Sequence, residues 1–218
     1  MLSSRPFAEL LDAFASSDPT PGGGSAAALM GAVGAALLAM VAGLPKTKSG
    51  APEERAALDA ARRDLLRFQT ALRDLIDRDA AAYDRVVAAF RRPKATDAEK
   101  AERVAAIQEA MRVASEAPAE TFRTCADALA AGTAVAAHAN PSAASDVAVA
   151  VQALLAGMQG ALLNVETNLA SVKDGAFVDR LTAALRDAQA RAGRAAAEIH
   201  RQPGVMKLGA DAKGRVGD

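Results

Sequence analysis

Apolar residues recur at helical spacing along nearly the whole chain. Phe7, Leu10, Leu11 and Phe14 fall at i, i+3, i+4 and i+7, which predicts a first helix over 6–14 that ends in the polar run Ser16-Ser17-Asp18-Pro19. Leu58, Leu65, Phe68, Leu72, Leu75, Ile76, Tyr83 and Val86 mark a longer stripe, with Arg, Asp and Glu on the other faces. Pro52 suits a first helical turn and Pro93 closes the pattern, so one long amphipathic helix is expected from Pro52 to Arg92, about 60 Å if unbroken. Between these two lies a stretch of another kind. Residues 26–44 carry no charge and no polar face, which predicts a helix from Gly24 or Ser25 to Gly43 that other parts of the protein must surround.

Downstream, Thr96 with Glu99 three residues later forms a capping-box pattern for a fourth helix, which Pro118 is expected to interrupt or kink, with a fifth running on toward Ala139. Asn140-Pro141 reads as an N-cap and first helical residue, opening a helix to about Ala170; the last spans 175–200. A tail from 202 to 218 is expected to be loosely ordered or held by a partner. No alternating strand pattern and no fixed-period repeat occurs. The expected fold is all-α: an up-and-down bundle of six or seven helices with one long helix, in a single domain over 1–218.

Composition sharpens this picture. Hydrophobic residues make up 51% of the chain, many of them alanine, and aromatics only 3%, so the core must be built by close approach of small residues. The same composition answers the length of the uncharged stretch, which matches a membrane span: alanine and glycine insert into lipid with near-neutral energy, so a buried helix and no membrane association are expected. Twenty-six basic residues balance 26 acidic ones, which argues against a nucleic-acid partner. One cysteine, Cys125, and two histidines leave no zinc-type ligand set, so no metal and a reducing cytoplasm are expected. Glu9 and Asp12 come too early for the apolar core of a signal peptide.

Several residue groups could carry chemistry. Pro19-Thr20-Pro21-Gly22-Gly23-Gly24-Ser25 starts the uncharged helix on bare glycines, where free N–H groups meet either a carboxylate or phosphate ligand or a closely packed helix. It lacks the Gly-Lys-Ser/Thr of a P-loop and the preceding strand of a dinucleotide site. Asp79 and Tyr83 share a helix face at i, i+4; Asp79, among apolar neighbours, either has a raised pKa, meets a cation, or lies on the solvated edge assigned to Asp74 and Asp84. Asn140-Pro141-Ser142-Ala143-Ala144-Ser145-Asp146 opens an otherwise apolar helix, with Asp146 serving the helix dipole or projecting into a cavity, and Ser142 and Ser145 available to first-turn amides. Gly157, Gly160, Asn164 and Asn168 line one face, and such amides either bridge helices or read a polar ligand. His138, His200 and Cys125 read as structural or surface groups.

Four of these landmarks, in order, carry a family resemblance: Pro19 to Ala28 with its Gly-Ala helix ending Met40-Val41-Ala42-Gly43-Leu44; Asp77-Arg78-Asp79-Ala80-Ala81-Ala82-Tyr83 with Arg92-Pro93-Lys94; Asn140 to Asp146; and Ala161-Leu162-Leu163-Asn164-Val165. Together they resemble the formiminotransferase-cyclodeaminase C-terminal family of formimidoyltetrahydrofolate cyclodeaminases and methenyltetrahydrofolate cyclohydrolases, nearest to the stand-alone cyclohydrolases. The resemblance implies an all-helical homodimer that binds a reduced folate beside the glycine turn, with no cofactor beyond the tetrahydrofolate derivative that is its substrate. The implied chemistry is hydrolysis of 5,10-methenyltetrahydrofolate to 10-formyltetrahydrofolate, or release of ammonia from 5-formimidoyltetrahydrofolate; a catalytically silent folate- or protein-binding dimer is the third reading. Asp146, Asp79 and Lys48 are the catalytic candidates, Lys46 and Lys48 also being placed to hold the glutamate tail or to form a solvated linker. Pro21, Gly22, Gly23, Gly24, Ser25, Tyr83, Asn140, Ser145 and Asn164 are the substrate-binding candidates. After Leu44, where the family pattern reads Thr-x-Gly-Lys-Lys-Lys-Tyr, this chain has Pro45-Lys46-Thr47-Lys48-Ser49-Gly50-Ala51-Pro52, which keeps the basic character and loses the tyrosine and glycine spacing.

Overall fold

A computed structural model describes residues 1–205, and the expectation for the tail falls almost wholly outside the described residues. Six α-helices follow in order: α1 (Phe7–Ala15), α2 (Gly23–Ala42), α3 (Pro52–Phe90), α4 (Asp97–His138), α5 (Ala144–Leu169) and α6 (Gly175–His200), with 3-10 turns at Leu2–Ser4 and Pro141–Ala143. The fold is all-α, as the periodicity predicts. Among the described residues the sole β-type pairing is an isolated bridge between Thr47 and Ala139.

The central half of the chain departs from the sequence expectation. Pro118 neither ends α4 nor divides it, so two expected helices are one of 42 residues, and the bundle has two long helices rather than one. Proline lacks an N–H and so withholds a hydrogen bond from the carbonyl four residues back. That carbonyl belongs to Ala114, and the Asn168 side chain of α5 donates to it at 2.8 Å. An amide from a neighbouring helix thus replaces the missing backbone donor. Elsewhere the helix ends follow the sequence: Thr96 and Glu99 complete the capping box of α4, Asn140 accepts from the Ser142 amide, and Asp174 caps α6 by accepting from the Phe177 amide.

The uncharged α2 lies between α3, α4 and α5. Its small residues let neighbours reach its backbone: a Cβ on Gly157 of α5 would stand 2.9 Å from both Ala27 O and Gly31 N, so α2 and α5 touch nearly backbone to backbone. Around this seam Leu38, Leu58, Leu65, Leu72, Leu75, Phe122, Leu129, Leu154 and Ile199 form the core. Cys125 is fully buried beside Gly31, and burial pushes its thiol up to about 12.

The ends of α2 and α3 are joined by an ordered linker. Arg55 donates to the Ala42 and Leu44 carbonyls at 2.9 and 3.2 Å, satisfying the end of α2. Glu54 accepts from the Thr47 hydroxyl, both the amide and the hydroxyl of Ser49, and the Gly50 amide. Those bonds, the Thr47 hydroxyl first, hold its carboxyl down from 4.5 to about 2. Although the linker sequence departs from the family pattern, it forms a turn folded on the first helical residues of α3.

α2 and α5 are each long and apolar enough to cross a membrane by length and composition, with the α2 span 61% buried within the bundle and the α5 span 39%. Met30, Val33 and Met40 of α2 and Val149 and Leu163 of α5 remain exposed.

Candidate active site

The N-terminal end of α2 forms the floor of a cleft of about 530 Å³. Gly22, Gly23 and Gly24 line it from α2 and the residues before it, Asp79, Tyr83, Val86 and Phe90 from α3, Met111 and Ala114 from α4, and Asn164 and Asn168 from α5. Four elements distant in sequence converge because α3, α4 and α5 all pack around that end of α2.

Asp79 is the buried acid of this cleft. Desolvation raises its pKa, while hydrogen bonds from the Ser25 side chain and backbone partly oppose the rise. Ser25 is itself fully buried, and its Oγ stands 3.0 Å from both Ile76 O and Asp79 Oδ2. A hydroxyl has one hydrogen. When Ser25 donates it to Ile76 O, the Asp79–Ser25 contact is completed by a proton on Asp79, so the neutral acid satisfies both contacts at once. When Asp79 ionises, the hydroxyl turns to donate to the carboxylate.

Gly24 makes this arrangement possible. A Cβ at that position would stand 2.1 Å from Asp79 Oδ1 and 2.6 Å from its Cγ, far inside any allowed approach. The two sequence readings of the glycine turn, anion contact and close packing, therefore meet in one residue pair: the helix N-terminus takes the chain's own carboxyl. Gly23 is exposed toward the cleft, and a Cβ there would stand 3.3 Å from Asn164 Nδ2. Asn164 donates to Gly160 O of its own helix at 2.8 Å, and among the described residues no donor is bonded to its Oδ1. Asn168 spans to α4 as described above, so of the two asparagines one bridges helices and one keeps a free acceptor.

Tyr83 and Phe90 lie two helical turns apart on α3 and give the cleft an aromatic wall, both about half exposed, at 44% and 51%. Arg103 of α4 fixes Phe90 by donating to its carbonyl and lying 5.6 Å over its ring. Phe90 and Met111 were not among the sequence candidates for substrate contact. Phe90 was detectable as the residue seven beyond Tyr83; Met111 was not, because nothing in the sequence ties α4 to α3 at that height.

The remaining candidates sit elsewhere. Pro21 is buried at the turn, whose Thr20–Pro21 bond is cis. Lys48 and Asn140 line a small depression of about 50 Å³ with Val147, and Ser145 and Asp146 lie in the adjoining first turn of α5. Lys48 is tied there by its amide, which donates to His138 O at 2.9 Å. Asp146 and Asn164 belong to the same unbroken helix, 18 residues and so about 27 Å apart along its axis. Within one chain, therefore, Asp79, Tyr83, Asn164 and the glycines come together, and Lys48, Asn140, Ser145 and Asp146 gather at the opposite end.

The model of the family described as formiminotransferase-cyclodeaminase matches residues 6–187. The chain is 38% identical over 193 residues to the methenyltetrahydrofolate cyclohydrolase of Methylorubrum extorquens, covering 88% of this chain and 93% of that protein. It is 34% identical over 199 residues to the formimidoyltransferase-cyclodeaminase of Sus scrofa, covering 88% of this chain but 36% of that protein, so it spans about a third of the bifunctional relative. In structure it is similar to the formiminotetrahydrofolate cyclodeaminase of Thermotoga maritima, with a TM-score of 0.82 at 24% identity over 93% of this chain and 97% of the other, a likeness of fold. With the family matched across most of its length and relatives above 30% identity covering nearly all of it, the chain belongs to the formiminotransferase-cyclodeaminase family.

Proposed function

We propose that the cleft hydrolyses 5,10-methenyltetrahydrofolate to 10-formyltetrahydrofolate. The observation that carries this reading is the 38% identity, over almost the full length of both chains, to a protein named as that cyclohydrolase. The geometry supplies a fitting mechanism. Water adds to the cationic carbon between N5 and N10 and loses one proton; as the carbon–N5 bond breaks, the added hydroxyl gives up its second proton to become the formyl carbonyl and N5 takes one proton, so one net proton is released. Asp79 serves as the base and then the acid. Its buried carboxyl holds a proton more tightly than an ordinary aspartate, which makes its ionised form the stronger base. A cationic substrate beside it favours that ionised form in the complex. Ser25 follows the change by turning its single hydrogen from Ile76 O to Asp79. The Asn164 carbonyl orients the water or the pterin edge, Gly23 lets the ring approach the backbone, and Tyr83 and Phe90 stack on it. No cofactor enters besides the folate itself, and the reducing cytoplasm suits both the substrate and the free Cys125.

The active form we propose is a homodimer joined through the uncharged outer faces of α2 and α5. Met30, Val33 and Met40 leave an apolar strip with no charge along 20 residues, and a second copy offers the same strip by symmetry. Light scattering on the purified protein is expected to give twice the chain mass, and Val33→Glu to give the single mass; a monomeric wild-type protein overturns this part.

The decisive assay follows loss of methenyl absorbance on addition of enzyme. A second reading, cyclodeamination, is favoured by the similarity to the Sus scrofa protein and predicts ammonia release from 5-formimidoyltetrahydrofolate. Turnover of one substrate without the other separates the two, and failure to bind either folate removes both.

A further inference from the structure

We propose that Asn168 is a specificity-determining residue whose side-chain oxygen accepts a hydrogen bond from the 2-amino group of the pterin. The inference rests on the reading of the cleft as a folate site. Three polar side chains of α5 line the cleft, Asn164, Thr167 and Asn168, and each donates to a helix carbonyl. Asn164 donates to Gly160 O and Thr167 to Leu163 O within α5, while Asn168 donates to Ala114 O across the seam, all at 2.8 Å. The bridge to α4 uses only the nitrogen of the Asn168 amide. Among the described residues no donor is bonded to its Oδ1 or to that of Asn164, and neither oxygen is shut off from solvent. An amide whose nitrogen is committed has its oxygen aimed as well, because both leave the same planar carbon. The α5 wall therefore offers two fixed carbonyl acceptors, one helical turn apart.

Their positions match one edge of the ring. Asn164 stands next to Gly23, with Asp79 against the neighbouring Gly24, and Asn168 lies about 6 Å further along α5, where it meets α4. In a tetrahydropterin, N5 and the 4-oxo group share one long edge of the bicycle, and N8–H and the 2-amino group share the other. The 2-amino group sits at the end remote from N5. With N5 set toward Asp79, the donor edge faces α5: N8–H meets the Asn164 oxygen and the 2-amino group meets that of Asn168. Turned over, the ring sets its 4-oxo group against two acceptors, an arrangement that repels. Asn168 is also held in place from beyond. Gln108 of α4 donates to Ser171 O at 2.9 Å and accepts from the Lys173 amide at 2.7 Å, so the chain that follows α5 is clamped to α4. Pro118 thus has a consequence in the cleft: the carbonyl it leaves without a backbone donor takes the Asn168 nitrogen and so aims the Asn168 oxygen.

The test measures, by calorimetry, binding of 10-formyl-5,8-dideazafolate and of its counterpart with a methyl group in place of the 2-amino group. Wild-type protein is expected to bind the amino compound about tenfold more tightly, the scale of one hydrogen bond to an acceptor otherwise left unpaired. Asn168→Ala alone also loosens the α4–α5 seam, so it is paired with Pro118→Ala, which supplies a backbone N–H for Ala114 O. Pro118→Ala by itself is expected to keep the preference, and Pro118→Ala/Asn168→Ala to lose it. Equal binding of the two compounds by wild-type protein, which needs no variant to measure, overturns the proposal. A preference that survives in the double variant overturns it too, and so does a preference already lost in Pro118→Ala, which traces it to packing. Hydrolysis of 5,10-methenyltetrahydrofolate by the same samples separates the two ideas: turnover without an amino preference removes the Asn168 assignment alone. A preference that depends on Asn168, seen without turnover, keeps the assignment and removes the hydrolysis.

Discussion

At the scale of single residues, the site turns on one carboxyl and the glycine that admits it. Replacing Asp79 with asparagine preserves shape and removes the proton exchange, so kcat is expected to fall by about 10² or more, the scale of a lost general base. The same change carries a stability signature of opposite sign. The folded-state pKa of Asp79 is raised, so its burial stabilises the fold fully below the ordinary aspartate range and loses that contribution as pH rises through the folded value. Asp79→Asn is therefore expected to melt higher than wild type at neutral pH, with the gap closing in acid. Scans at both pH values check this; a lower melting temperature at neutral pH refutes the burial account. Gly24→Ala pushes a methyl into the carboxyl and is expected to reduce activity to the level of Asp79→Asn, whereas Gly23→Ala, which meets only the end of the Asn164 amide, keeps most of it. Much of this was legible in the sequence. The i, i+4 spacing paired Asp79 with Tyr83, and the triple glycine announced a close approach. What approached was hidden, because the contact joins residues 55 apart and depends on how α3 crosses the start of α2.

Helix boundaries were the most readable features at the scale of elements, and Pro118 was the one that misled. Local chemistry argues for a break at an interior proline, and only a donor 54 residues away in sequence repairs it. Asn168 is that donor, which also explains why an amide sits in an apolar seam. Asn168→Ala removes the partner of Ala114 O and is expected to cost about 1–3 kcal/mol, the usual consequence of leaving a buried polar group unpaired. Denaturant unfolding measures it, and an unchanged midpoint means that another donor already serves this carbonyl. Because Ala114 and Asn168 both line the cleft, the same variant is expected to raise KM through looser α4–α5 packing.

For the molecule as a whole, composition foretold an all-helical protein with tight small-residue packing, and the alanine-rich seam of α2 and α5 bears this out. Which candidate residues share a site was not foretold. Sequence order places Asn140 to Asp146 between the landmarks of the cleft, yet the unbroken α5 carries that group to the opposite end of the bundle. Only the direction of α5 against α2 decides the matter, and no local pattern encodes it. The same seam has a use at the bench. Cys125 is the chain's single thiol, shut against Gly31 in the middle of the bundle and chemically quiet there. A thiol reagent added to the native protein can reach it only when the helices part, so the labelling rate is expected to track global opening and to rise in step with denaturant. The chain thus contains its own stopwatch for unfolding, readable without a dye or an engineered probe.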